Sequence, residues 1–180
     1  MDSPPLAIPS PESHDVKEVF AFFGLAAYHA QVFEQAALHL VAALEVFSLS
    51  SSSARTVDSV YGEIEKQTLG QLLNAARRVV AIDPTIDNLL SDALRERNEL
   101  VHRFFEQNSE NFIVESGRKA MIDRLRGVTD LFQRADRAAS DLFWPISTAM
   151  GVTEEVVNRT FDRMIRDAQT REAALASAQS

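Results

Sequence analysis

The chain has 180 residues, 26 acidic against 18 basic side chains, a net charge of −8, 46% apolar residues and no cysteine. That length suits one domain with a sizeable core, and the missing cysteine excludes disulfides, Cys-ligated zinc and thiol nucleophiles. The acidity argues against a general nucleic-acid coat, because such binding works by neutralising phosphates. The charge is uneven, however. Residues 1–94 hold 12 acidic and 5 basic side chains, residues 95–137 hold 8 and 9, and residues 138–180 hold 6 and 4. Only the middle segment is slightly basic, which allows local contact with RNA without requiring it.

Residues 1–14 contain four of the six prolines, which lack an amide hydrogen and disfavour helix in the preceding residue, so a disordered arm is expected. No basic region followed by an apolar run marks a secretory leader there, and a cytoplasmic protein is expected. Asp15 and Glu18 form a plausible helix start. From Val16 to Phe47, 23 of 32 residues are apolar, with a single glycine, Gly24, and no proline. A helix apolar around most of its circumference must be covered on several sides, so this one is expected at the centre of a bundle, with Gly24 a possible point of close helix approach. Glu18, Glu34 and Glu45 interrupt it too often for a membrane span. Gln31, Gln35 and His39 form a narrow polar stripe at four-residue steps.

The serine-rich stretch 48–53 reads as a loop. Periodicity leaves Asp58–Lys66 open between a short helix and a structured connection. Thr68 with Gln71 has the form of a capping box, opening a helix with Leu69, Leu72, Leu73, Ala76, Val79 and Val80 at helical spacing and an end near Ile82. Asp83-Pro84 opens the next, with Asp as cap and Pro where no amide hydrogen is needed; Ile86, Leu89, Leu90, Ala93, Leu94, Val101, Phe104 and Phe105 supply its apolar face. Glu106–Asn111 reads as a loop. A long helix follows from about Ser116 to Phe143, with Met121, Ile122, Leu125, Val128, Leu131, Phe132 and Ala135 inward and Pro145 kinking or ending it. Thr153 caps a last helix whose stripe Val157, Phe161, Met164, Ile165 and Ala168 lies opposite Arg159, Arg163 and Arg166; from Arg171 the tail should fray. No strand pattern and no repeat appears. The expected fold class is all-α, an up-and-down bundle of four to five helices, with an arm over 1–14, the bundle over 15–145 and an additional helix and tail over 146–180.

Within the Asp83-Pro84 helix, Arg97-Asn98-Glu99-Leu100-Val101-His102 places an Arg, then a polar residue, then a His five positions after the Arg. This resembles the Rx4-6H signature of the HEPN superfamily, small helical bundles that include metal-independent RNA-cleaving toxins and phage-defence nucleases. The resemblance covers most of residues 16–143, but only the motif is specific, and the last helix has no counterpart in it. It implies a homodimer whose composite cleft joins both motifs, and RNA products with 2′,3′-cyclic phosphate and 5′-hydroxyl ends. An antitoxin or regulatory protein is a further partner it implies, and it calls for no cofactor and no metal.

The residue types fit that chemistry. Metal-free RNA cleavage needs a base for the 2′-hydroxyl proton, an acid for the leaving oxygen and a cation at the phosphate. Histidine titrates near neutrality, which suits His102 to proton transfer. The planar donor fork of Arg97 matches phosphate oxygens, and Asn98 can orient the imidazole or hold a hydroxyl. On a helix, residues five apart point about 140° from one another, whereas Asn98 and His102 share a face. Arg97 must therefore curl toward that face or meet His102 of a second copy. Glu34, inside the most apolar helix, either holds Arg97 or His102 in place or faces solvent beside Gln31 and Gln35. Tyr28 and His29 fit an RNA cleft or simple packing equally well. The rival to catalysis is a helical interaction or regulatory module of the same fold. No HExxH, GxxxxGK[ST] or GxGxxG pattern is present, and the Glu-x-x-His pairs of a di-iron bundle are missing.

Overall fold

The computed structural model describes residues 7–48 and 57–178. These residues form six helices and no strand: α1 (Val16–Ser48), α2 (Val57–Ile64), α3 (Leu69–Val79), α4 (Pro84–Gln107), α5 (Glu115–Ala149) and α6 (Glu154–Ala178). The helix left open by periodicity is α2. The loop expected at 48–53 lies, beyond Ser48, outside the described residues, as do residues 1–6 of the expected arm. No helix among the described residues is long and apolar enough to cross a membrane.

The starts of α1, α3 and α4 follow from local chemistry. The Glu18 amide donates to Asp15 Oδ1 at 2.8 Å. Thr68 and Gln71 complete their capping box: the Thr68 amide donates to Gln71 Oε1 at 2.8 Å and Thr68 Oγ1 accepts from the Gln71 amide at 3.4 Å. Asp83 Oδ1 accepts from the Thr85 amide at 2.8 Å, with Pro84 in the first turn. These bonds satisfy amides that a helix start otherwise leaves unpaired.

The long pair α1 and α5 forms the spine, and α2, α3 and α4 also lie against α1. One core lies between α1, α4 and α5, around Phe33, Leu90, Phe104, Leu125 and Phe132; a second gathers the C-terminal half of α1 with α2, α3 and the end of α5, around Leu40, Val60, Ile64 and Leu72. Each fully buried Leu or Phe contributes roughly 1.5–3 kcal/mol of transfer free energy. Covering α1 from several sides is what its composition demanded.

Several details differ from the sequence expectation. Val101 is 52% exposed, and Leu100 takes the core position with Phe104, four residues on and on the same face. α5 continues through Pro145 to Ala149. The helix ends instead in a turn at Gly151, whose φ of +84° is open to glycine at little cost, while the amides of Met150 and Val152 both donate to the Ser147 carbonyl. Residues 7–14 take no helix, yet Ile8 packs on the core. His14 adopts a φ of +53°, and the Glu12, Ser13 and His14 amides all donate to the Glu18 carboxylate. Those hydrogen bonds hold the Glu18 carboxyl below its ordinary range. Arg118 fastens the same corner, donating to the carbonyls of His14, Phe112 and Ile113 at 2.9, 3.2 and 3.1 Å.

Gly24 faces open space, so it is not a point of helix contact. Gly117 is: a Cβ there meets the backbone of Asn111, in the turn that joins α4 to α5. Gly117→Ala is therefore expected to lower stability by about 1–3 kcal/mol through overpacking, whereas Gly24→Ala is expected to raise it by up to about 1 kcal/mol through helix propensity. Urea unfolding followed by circular dichroism checks both; equal effects contradict the assignment.

Candidate active site

The motif sits in the second half of α4, whose placement is fixed before the motif is reached. Arg77 of α3 donates from Nε to Asp87 Oδ1 at 2.6 Å and from Nη2 to Ser91 Oγ at 2.7 Å. Leu90, Ala93, Leu100 and Phe104 then bury one face. On the α5 side, Arg124 lies 3.7 Å from Glu96 and 3.9 Å from Glu99, with its guanidinium 5.8 Å from the Phe104 ring centroid. Arg97 is thereby left beside α1. Its Nη2 donates to both carboxylate oxygens of Glu34, at 3.1 and 3.2 Å, and its Nη1 donates to Asn98 Oδ1 at 3.2 Å.

Of the two alternatives for Glu34, the structure brings it to Arg97. Both side chains remain partly open, 26% for Arg97 and 29% for Glu34, so solvent still reaches the guanidinium and an ion pair of this kind is worth about 1 kcal/mol or less. Asn98 and His102 are exposed, and His102 makes no hydrogen bond or ion pair among the described residues. The shared face of Asn98 and His102 is therefore present, while Arg97 turns to α1 and no contact joins it to His102. Within one chain the three residues lie on one helix without forming a closed catalytic cluster. Exposed Arg103 follows directly, and Arg95 is paired with Asp92 at 2.9 Å.

Beside Glu34 lies an open groove of about 740 Å³ between α1 and α5, whose lining includes Tyr28, Gln31, Glu34, Gln35, His39, Tyr61, Asp136, Ser140, Phe143 and Trp144. The sequence reading did not find it. Its signal was the polar stripe Gln31, Gln35, His39 on α1 together with a second series at four-residue steps on α5, Asp136, Ser140 and Trp144, which lines the same groove. His29 is buried, with Nε2 3.3 Å from Gln133 Nε2 and its ring 5.2 Å from that of exposed Tyr28.

Burial lowers the pKa of both His29 and His39 from the ordinary value of 6.5, with Asp136 partly opposing the shift at His29. Burial raises that of Asp136, against the opposing charges of His29 and Arg137. Among the described residues, no three His, Asp or Glu side chains come together as a metal-ligand set. The chain matches no protein-family model, no curated protein and no solved structure.

The lowered histidines have a consequence for stability. The unfolded chain takes up their protons near pH 6.5, the ordinary value, where the folded chain resists them, so stability falls as pH drops through that value and below it. Asp136 works in the opposite sense, but its shift starts from the carboxylate range at 3.8. The urea midpoint is thus expected to decline between pH of about 7.5 and 5.5, and His29→Gln with His39→Gln to flatten that decline. An unchanged slope in the double variant contradicts it.

Proposed function

We propose that this chain is a HEPN-like, metal-independent endoribonuclease of toxin or phage-defence type, whose cleft is completed by a second copy. The observation that carries the reading is the layout of α4: Arg97 held by Glu34 yet partly open, with Asn98 and His102 on the adjoining exposed face. An up-and-down arrangement of the helices and a cytoplasmic setting belong to the same proposal, as does an antitoxin or regulatory protein that restrains the activity.

Two copies supply two imidazoles and two guanidiniums. One His102 takes the 2′-hydroxyl proton as the 2′-oxygen attacks phosphorus. The imidazolium so formed gives its proton to the 5′-oxygen as the bond from that oxygen to phosphorus breaks, leaving a 2′,3′-cyclic phosphate and a 5′-hydroxyl. Arg97 stabilises the negative charge that builds on the phosphate. Glu34 acts as a positioning residue, fixing the guanidinium and attenuating its charge between turnovers. Asn98 holds the other side of Arg97 and reaches the same exposed face as His102.

The competing reading is a non-catalytic interaction module. It is favoured by one specific feature, the Glu34 carboxylate that already satisfies Arg97, together with the acidic balance of the chain.

Incubation with tRNA, ribosomal and messenger RNA in EDTA tests the proposal. The native chain is expected to cleave and leave cyclic-phosphate ends. His102→Ala is expected to lose at least about 100-fold, Arg97→Ala a comparable factor, and Glu34→Gln less than either, with helicity unchanged in all three. No cleavage of any RNA supports the interaction module. Equal cleavage by native and substituted chains removes the motif from the mechanism.

A further inference from the structure

The groove between α1 and α5 takes no part in the chemistry assigned to α4, and its lining has a definite character. Tyr61, His39, Phe143 and Trp144 form one connected aromatic wall. Their ring centroids lie 6.5 Å apart from Tyr61 to His39, 6.2 Å from His39 to Phe143 and 5.4 Å from Phe143 to Trp144. Two carboxylates, Glu34 and Asp136, share the lining, and among the described residues no Lys or Arg does. His39 adds no positive charge at neutral pH, because burial holds its pKa below the ordinary 6.5.

The two carboxylates differ. Glu34 is already answered, since both of its oxygens accept from Arg97. Asp136 is half-buried and makes no hydrogen bond or ion pair among the described residues. Burial opposes its charge more than His29 and Arg137 support it. A partly desolvated carboxylate without a partner is costly, and a cation placed beside it lowers that cost. A metal ion is a poor candidate, because among the described residues no three His, Asp or Glu side chains converge. Aromatic faces, by contrast, attract organic cations through the ring quadrupole. The groove's volume of about 740 Å³ is of the size that small-molecule sites have, so an apolar body must accompany the charge to fill it.

We propose that this groove binds a small organic cation, a substituted ammonium with its charge at Asp136 and its apolar body along the Tyr61–His39–Phe143–Trp144 wall. The shape of the lining suits an elongated ligand. Asp136, Ser140 and Trp144 follow one another at four-residue steps of α5, which sets Asp136 and Trp144 about 12 Å apart along the helix. This assignment goes beyond RNA cleavage and does not rest on it.

Trp144 is the single tryptophan of the chain, so its fluorescence reports occupancy directly. Three probes share one apolar body and differ in charge: 3-phenylpropylammonium, 3-phenylpropan-1-ol and 3-phenylpropanoate. At constant ionic strength the ammonium is expected to give a saturable change, the alcohol to bind at least about fivefold more weakly and the carboxylate not to bind. Asp136→Asn is expected to remove the advantage of the ammonium over the alcohol with helicity unchanged, whereas Glu34→Gln retains it. No saturable change with the ammonium overturns the proposal. Equal affinity for ammonium and alcohol also overturns it, by making the groove merely apolar. A preference for the ammonium that survives Asp136→Asn, or is lost in Glu34→Gln, removes Asp136 as the group that recognises the charge.

Discussion

The structure depends on one constraint, the need to cover α1. A 33-residue helix so apolar around its circumference is stable only when other helices surround it, and α5, α3, α2 and α4 each take a sector. Few positions on such a helix tolerate a carboxylate, because an unpaired charge next to a core is costly. Glu34 occupies one of them, at the seam where α4 meets α1, and Arg97 is the side chain that answers it. The same contact that makes α1 tolerable to α4 thus fixes the guanidinium of the motif.

That arrangement has two faces. It holds Arg97 in one orientation, which a phosphate-binding arginine needs, and it also supplies the counter-charge that a phosphate would otherwise provide. A quarter of the Arg97 side chain stays exposed, and on the proposed reading that is where a phosphate would compete with Glu34. His102 has no such tie. It stands on the outer face of α4 with Asn98, where the 140° between residues five apart keeps it from the Arg97 of its own chain. On the proposed reading, a second copy brings both groups to one phosphate.

Much of the fold was legible in the sequence because its signals are local. The capping box at Thr68, the Asp83-Pro84 start and the apolar positions of α5 all rest on spacing within a few residues, and they stand where spacing put them. What escaped detection depends on pairs distant in sequence. Val101 and Leu100 cannot be told apart by composition, and only the packing of α4 on α1 and α5 decides which is buried. Gly117 matters because the turn at Asn111 folds back on it, whereas Gly24, the more conspicuous glycine in a long apolar helix, touches nothing. The groove needed the polar stripe of α1 and the matching series on α5 to be read together, across about a hundred residues of sequence. The motif itself was visible at once, and so was the angular mismatch between Arg97 and His102. Which carboxylate would answer Arg97 was open, because Glu34 lies 63 residues away.

Mixing two inactive variants tests the composite cleft most directly. Chains with Arg97→Ala and chains with His102→Ala are each inert alone on this account, but a mixed pair contains one cleft with an intact Arg97 from one copy and an intact His102 from the other. After unfolding and refolding together, the mixture should recover roughly a quarter of native cleavage, since about half of randomly formed dimers are mixed and each holds one complete site. A mixture as inert as its components, from a native chain that cleaves, would contradict the paired site and place the chemistry within a single copy.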